Sequence, residues 1–141
     1  MINIIPGLNA TVSALNVERQ RMEIIQNNIA NAQTTKDLDG QPYQGQQVVF
    51  ETVLSGKQGD PASNEGEVRI ARIEKDVRPP RRIYNPGHPD ADDKGFVSMP
   101  NINVHEELAD MISASRAFEA NLAVVRISKA MATQSMSIGK R

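Results

Sequence analysis

Hydrophobic residues recur at helical spacing near both ends of the chain and at strand spacing in its middle. Leu8, Leu15, Met22 and Ile29 fall seven residues apart, with Val12 and Ile25 alongside. This heptad seam predicts a helix from about Pro6 to Ala32. Pro6 suits a first helical turn, where its missing N–H costs nothing. Towards the other end Leu108, Met111, Phe118, Leu122 and Val125, continued by Ala132 and Met136, predict a second helix starting near Asn103. Asn103 with Glu106 three residues on makes a capping box, and Glu106 and Glu107 suit the positive end of the helix dipole. Gly139, Lys140 and Arg141 mark its stop. A helix of about 36 residues would be roughly 54 Å long. Such a length points to a coiled coil rather than to a globule.

Each helix carries a second apolar stripe. On the first it includes Val17 and Ile24; on the second it includes Ile112, Ala123, Ile127 and Ala130, about 140° around from the seam. One partner helix covers one stripe, so two stripes predict neighbours on two sides. The seams then pair the helices as a coiled-coil hairpin and the second stripes face other subunits. A four-helix homodimer is the simpler alternative. A monomer would leave extended apolar surface exposed.

Proline divides the chain. Residues 7–41 and 101–141 contain none, whereas seven of the eight prolines lie between 42 and 100. Because proline removes an N–H and clashes with the preceding turn, the middle cannot be helical. Gln46–Leu54 and Glu67–Glu74 predict two strands joined by turn chemistry at Gly59–Gly66. Arg81–Tyr84 and Phe96–Met99 predict two shorter ones around a proline- and aspartate-rich loop. The expected class is α+β: an N-terminal helix and asparagine-rich loop (1–41), a small β-rich insert domain (42–100) and a C-terminal helix (101–141). Four of the five aromatics, Tyr43, Phe50, Tyr84 and Phe96, lie in the insert or its entry and are expected to anchor its small core.

Composition narrows the function classes. Net charge is −1 and no cysteine is present, so thiol catalysis, disulfides and cysteine zinc sites are excluded and no global field recruits nucleic acid. No apolar run approaches the ~18 residues of a membrane span, which argues against direct membrane insertion. The only histidines are His88, in a turn, and His105, in a helix's first turn, and no nucleophile motif accompanies them. Asp90 to Gly95 gives a faint calcium-loop pattern, but Lys94 occupies a ligand position and Asn101 stands where a bidentate Glu belongs. The basic cluster Lys75–Arg82 lacks interleaved aromatics and reads as a solvated edge. Neither an enzyme nor a cofactor is expected.

The residues do resemble a known family. Asn28, Ile29, Ala30 and Asn31, with Thr34 following, are similar to the asparagine-rich signature of flagellar axial proteins: rod, hook and hook-associated subunits. Within it, Asp39–Tyr43, the run Tyr84, Asn85, Pro86, Gly87, His88, Pro89, Asp90, Ala91 and Asp92, then Pro100–Val104 and Met111–Asn121 resemble the proximal-rod subunits, in order along nearly the whole chain. The opening Met1–Gly7 departs from the family's Phe-rich start, and Phe96 and Phe118 stand where tyrosine is common. The resemblance implies a structural subunit of the bacterial flagellar basal body, in the periplasmic rod that carries torque from motor to hook. It also implies export by the flagellar type III apparatus without a cleaved signal. Implied partners are further copies, other rod subunits, the adaptor joining rod to MS ring, and the distal-rod protein. Another axial rod subunit, a coiled-coil adaptor and an export chaperone are the alternative readings. The terminal segments 1–35 and 101–141 are expected to be largely disordered until they assemble.

Overall fold

The computed structural model describes residues 6–37, 39–55 and 65–138. Most of the expected turn at Gly59–Gly66 falls outside them, as do Met1–Ile5 and the stop at Gly139–Arg141. The elements run α1 (Pro6–Ala30), β1 (Gln46–Ser55), β2 (Glu65–Lys75), β3 (Arg81–Tyr84), β4 (Phe96–Met99) and α2 (Val104–Ile138), an α+β chain.

The helix ends follow from side-chain chemistry. Asn103 caps α2: the His105 N–H donates to its Oδ1 at 3.2 Å and the Glu107 N–H to its carbonyl at 3.0 Å. No reciprocal bond from Glu106 back to Asn103 forms among the described residues, so this is a simple cap rather than the expected box. Helix α1 stops two residues short of the predicted Ala32. There the Asn31 amide donates to the Asn27 carbonyl at 2.9 Å, the Ala32 N–H turns to the Ile29 carbonyl, and Thr34 bonds back to Asn31. Local side-chain bonds of this kind compete with helix propagation.

The strands form two separate antiparallel pairs, β1 with β2 and β3 with β4. In the first, Gln46 faces Lys75, and the register shifts between Val49↔Arg72 and Phe50↔Ile70, leaving Ala71 as an extra residue. This bulge explains an irregularity in the sequence. Val68 and Ile70 share a face, and Ile73 rejoins it only because one residue is skipped. In the β3–β4 pair Gly95 sits at φ +79°, and a Cβ there would lie 2.9 Å from Tyr84 Cε2. Only glycine satisfies both the backbone and the space.

The β1–β2 hairpin lies along α1. The Val68 N–H donates to Ser13 Oγ at 3.3 Å, and the Gln46 N–H donates to Asn28 Oδ1 at 2.9 Å. Ser13, Val17, Ile24 and Asn28 fall on one helix face, so the hairpin covers this stripe between two polar fastenings. The helices run antiparallel: going from Asn28 back to Arg21 on α1 moves the partner from Glu107 forward to Asp110 on α2. Ala114 is fully buried, a small side chain on the α2 surface. The expectation that four aromatics anchor the insert is corrected for three of them; Tyr43 is half-buried. Phe50, Tyr84 and Phe96 are exposed, while Val97, Pro100 and Ile102 are buried. The rings serve at the surface, with Tyr84 edge-on to Phe96 at 5.4 Å and Arg82 stacked 5.0 Å over Phe96.

Candidate assembly interface

Asn28 is the junction of the chain. It is 2 % exposed, and its side chain uses its whole hydrogen-bonding capacity. Its Oδ1 accepts from the Gln46 N–H and from the Tyr43 hydroxyl; its Nδ2 donates to the Gln46 carbonyl at 2.8 Å and to Glu107 Oε2 at 3.2 Å. One amide therefore ties the last turn of α1 to the start of β1 and to the first turn of α2. Burial pushes the Glu107 carboxyl above its usual range, opposed by the Asn28 bond and reinforced by Asp110 and Glu106. Burial also raises the Tyr43 hydroxyl, with Glu107 and Asp37 adding to it.

The Tyr84–Asp92 run forms a second fastening. Asp90 accepts from Thr35 Oγ1 at 2.6 Å and pairs with Lys36 Nζ at 2.6 Å, so the loop is strapped to the segment leaving α1. The Lys36 and Thr35 bonds hold its carboxyl below the ordinary 3.8. His88 Nδ1 accepts the Asp90 N–H at 3.1 Å, fixing the turn through Pro86, Gly87 and Pro89. Asp92 accepts the N–H groups of Phe96 and Lys94 at 2.9 Å and pairs with Arg82; the Phe96 N–H is the largest cause lowering its carboxyl. The two aspartates are thus committed to separate partners. No group of three or more candidate metal ligands occurs among the described residues. Arg78 and Arg82 of the basic stretch pair with Asp76 and Asp92.

The predicted stripes divide by exposure. Of the seam, Ile25 is buried, and Leu8, Leu15, Met22, Ile29, Met111, Phe118, Leu122 and Val125 are half-buried, whereas Val12 and Leu108 are exposed. Of the second stripe, Val17 and Ile24 are buried within the chain. The hairpin covers them, so they do not form a face open to neighbours. Ile112, Ala123, Ile127 and Ala130 on α2 are exposed, and Val124, Met131, Met136 and Ile138 extend that apolar surface. Sequence spacing gave no sign of the Asn28 junction, whose partners lie 15, 18 and 79 residues away.

A family described as "Flagella basal body rod protein" matches residues 8–36, and one described as "Flagellar basal body rod FlgEFG protein C-terminal" matches residues 93–138. The chain is 38 % identical to the flagellar basal-body rod protein FlgC of Borreliella burgdorferi, covering 97 % of this chain and 98 % of that one. The chain belongs to the FlgC family of flagellar basal-body rod proteins. The Yersinia enterocolitica FlgC is 39 % identical over 91 % of this chain and 92 % of its own length. The Bacillus subtilis FlgC is 31 % identical over 95 % and 97 %. FlgC proteins are structural subunits of the flagellar basal body, and the family is non-enzymatic. The two matched regions take in α1 from residue 8 onward and the whole of α2. No described helix is long and apolar enough to cross a membrane.

Proposed function

We propose that this chain polymerises into the helical tube of the proximal rod, which passes torque from motor to hook, and that α1 and α2 form its coiled-coil layer. One observation carries the reading. Eight of the exposed large hydrophobic residues lie on α2, Ile112, Val124, Ile127, Met131, Met136 and Ile138 among them. An apolar surface of this kind marks an interaction site rather than a face left to water.

In this reading residues 1–41 and 101–141 make one helical unit and 42–100 an insert that stiffens the tube laterally. Leu8, Leu15, Met22, Ile25 and Ile29 pair with Met111, Phe118, Leu122 and Val125. Ile112, Ala123, Ile127 and Ala130 meet adjacent subunits. The tube stands in the periplasm, and the subunit reaches it through the flagellar type III apparatus without a cleaved signal. Its neighbours are other rod subunits, the MS-ring adaptor and the distal-rod protein.

Leu122 provides the test. Leu122→Asp would bury a charge without a partner. The expected outcome is a variant that is exported at the normal level yet absent from purified basal bodies, with non-motile cells. Normal motility would count against the helix layer, and a discrete, non-polymerising homodimer by light scattering would favour an adaptor instead.

A further inference from the structure

The two halves of the β1–β2 hairpin are held by different means. At its root Asn28 pairs with both backbone groups of Gln46. Beside it the Asp76 N–H donates to the carbonyl of the buried Gly45 at 2.7 Å, where a Cβ on Gly45 would meet Ile102 at 3.3 Å. In the far half the Val68 N–H meets Ser13 Oγ at 3.3 Å, and that hydroxyl itself donates to the Ala10 carbonyl at 2.8 Å. A long bond to a shared hydroxyl is a weaker tie than those of a buried amide.

Ala71 separates the halves. There the register passes from Val49↔Arg72 to Phe50↔Ile70, and an extra residue interrupts the ladder and bends the strand. Four helical residues carry Ser13 to Val17 over about 6 Å, and two strand residues carry Val68 to Ile70 over about the same length. Val17 is therefore level with Ile70, past the bulge, whereas Ile24 lines a groove with Gln46, Gln47 and Val48 nearer the root. The cover is also one-sided. Val17 and Ile24 are each 7 % exposed, yet no described residue of either strand is buried. The hairpin closes the α1 stripe without enclosing a core of its own, and segments with few buried contacts open locally.

We propose that the far half of the hairpin, residues 50–53 with 68–70, is a lid on α1 that hinges at the bulge and lifts off Val17 while the root stays fastened at Asn28. The inference rests on the rod-subunit reading and adds a control to it. The closed lid withholds apolar surface of α1 from other copies, so its opening sets how readily free subunits associate.

The chain has no cysteine, so single thiols report opening. Val17→Cys, Ile24→Cys and Val97→Cys each place one at a buried position, and its rate of reaction with a small disulfide reagent measures how often that position is uncovered. The thiol at 17 should react about tenfold faster or more than those at 24 and 97, which wait for wider unfolding. Adding Ser13→Ala should raise the rate at 17 and leave that at 97 unchanged. Equal rates at all three positions overturn the lid, and equal rates at 17 and 24 alone overturn the hinge at Ala71. Where a thiol variant does not fold by circular dichroism, amide exchange of the wild type decides, and a Val68 N–H as slow as that of Gln46 rejects the lid. S13C/V68C tests the control, because its disulfide pins the far half to α1. In sedimentation velocity the oxidised chain should associate about tenfold more weakly, or less, than the same chain reduced. Equal association of the two forms, or none by either, overturns the control. Failure here with Leu122→Asp still blocking rod incorporation would remove the lid and leave the rod reading standing.

Discussion

Asn28 concentrates more of the chain's connectivity than any apolar residue. Its amide pairs with both backbone groups of Gln46, as a neighbouring strand would. Asn28→Ala would leave those groups and the Glu107 carboxylate without partners, at a cost of about 2–4 kcal/mol. Asn28→Asp keeps the shape and the acceptors but sets a second carboxylate against Glu107. Its folded-state pKa would be raised, as that of Glu107 is, so its stability deficit should be smallest in acid and grow as pH rises through the folded value. Urea unfolding of both variants between about pH 4 and 8 checks this, and a pH-independent deficit for Asn28→Asp would oppose it. Asp90 has the opposite sign. Its carboxyl lies below the ordinary 3.8 because of Lys36 and Thr35. The strap is therefore complete above that value and lost as pH falls through the depressed one. The stability gap between wild type and Asp90→Asn should be present at neutral pH and close in acid, measured by thermal unfolding across that range.

Elements were legible where a local rule decides them. β3 and β4 occupy the residues expected on either side of the proline- and aspartate-rich loop, and Asn103 opens α2. What spacing could not tell was which surface covers which stripe. The angle between stripes follows from 3.6 residues per turn. The partner follows from the hairpin, which the bulge at Ala71 and the bonds at Ser13 and Asn28 lay over Val17 and Ile24. The hairpin thus uses one of the stripes and leaves that of α2 open. Ile127, at 60 % exposed, separates assembly from folding. Ile127→Glu should leave the melting temperature of the free subunit within a degree or two, since surface changes are usually worth under ~0.5 kcal/mol. It should nonetheless reduce incorporation into basal bodies far more than Ser113→Glu, at an exposed polar position of the same helix. Equal incorporation of the two would remove the stripe from the interface.

At the scale of the molecule, the aliphatic stripes and the scarcity of aromatics belong together. Among the described residues six hydrophobic ones form the buried core and fourteen large ones stand exposed, so this part of the chain leaves more large apolar side chains open than it buries. Its order should be graded accordingly. Antiparallel alignment from Asn28 and Glu107 brings the start of α1 level with about residue 129 of α2; Met131, Met136 and Ile138 lie beyond it, each at least 64 % exposed. Those last turns have no helix alongside in the described chain and should approach coil-like exchange in the free subunit, because short unsupported helix is marginal in water. The Gln46 N–H, bonded to a nearly fully buried side chain, should be among the slowest to exchange. Hydrogen exchange on dilute monomer tests this gradient directly. Assembly should abolish it, protecting residues 130–138 by a larger factor than the Asn28 junction, since only the former gain a partner. Equal and strong protection along all of α2 at monomer concentrations would mean that the helix is finished before it assembles, and that the exposed apolar stripe is not what orders it.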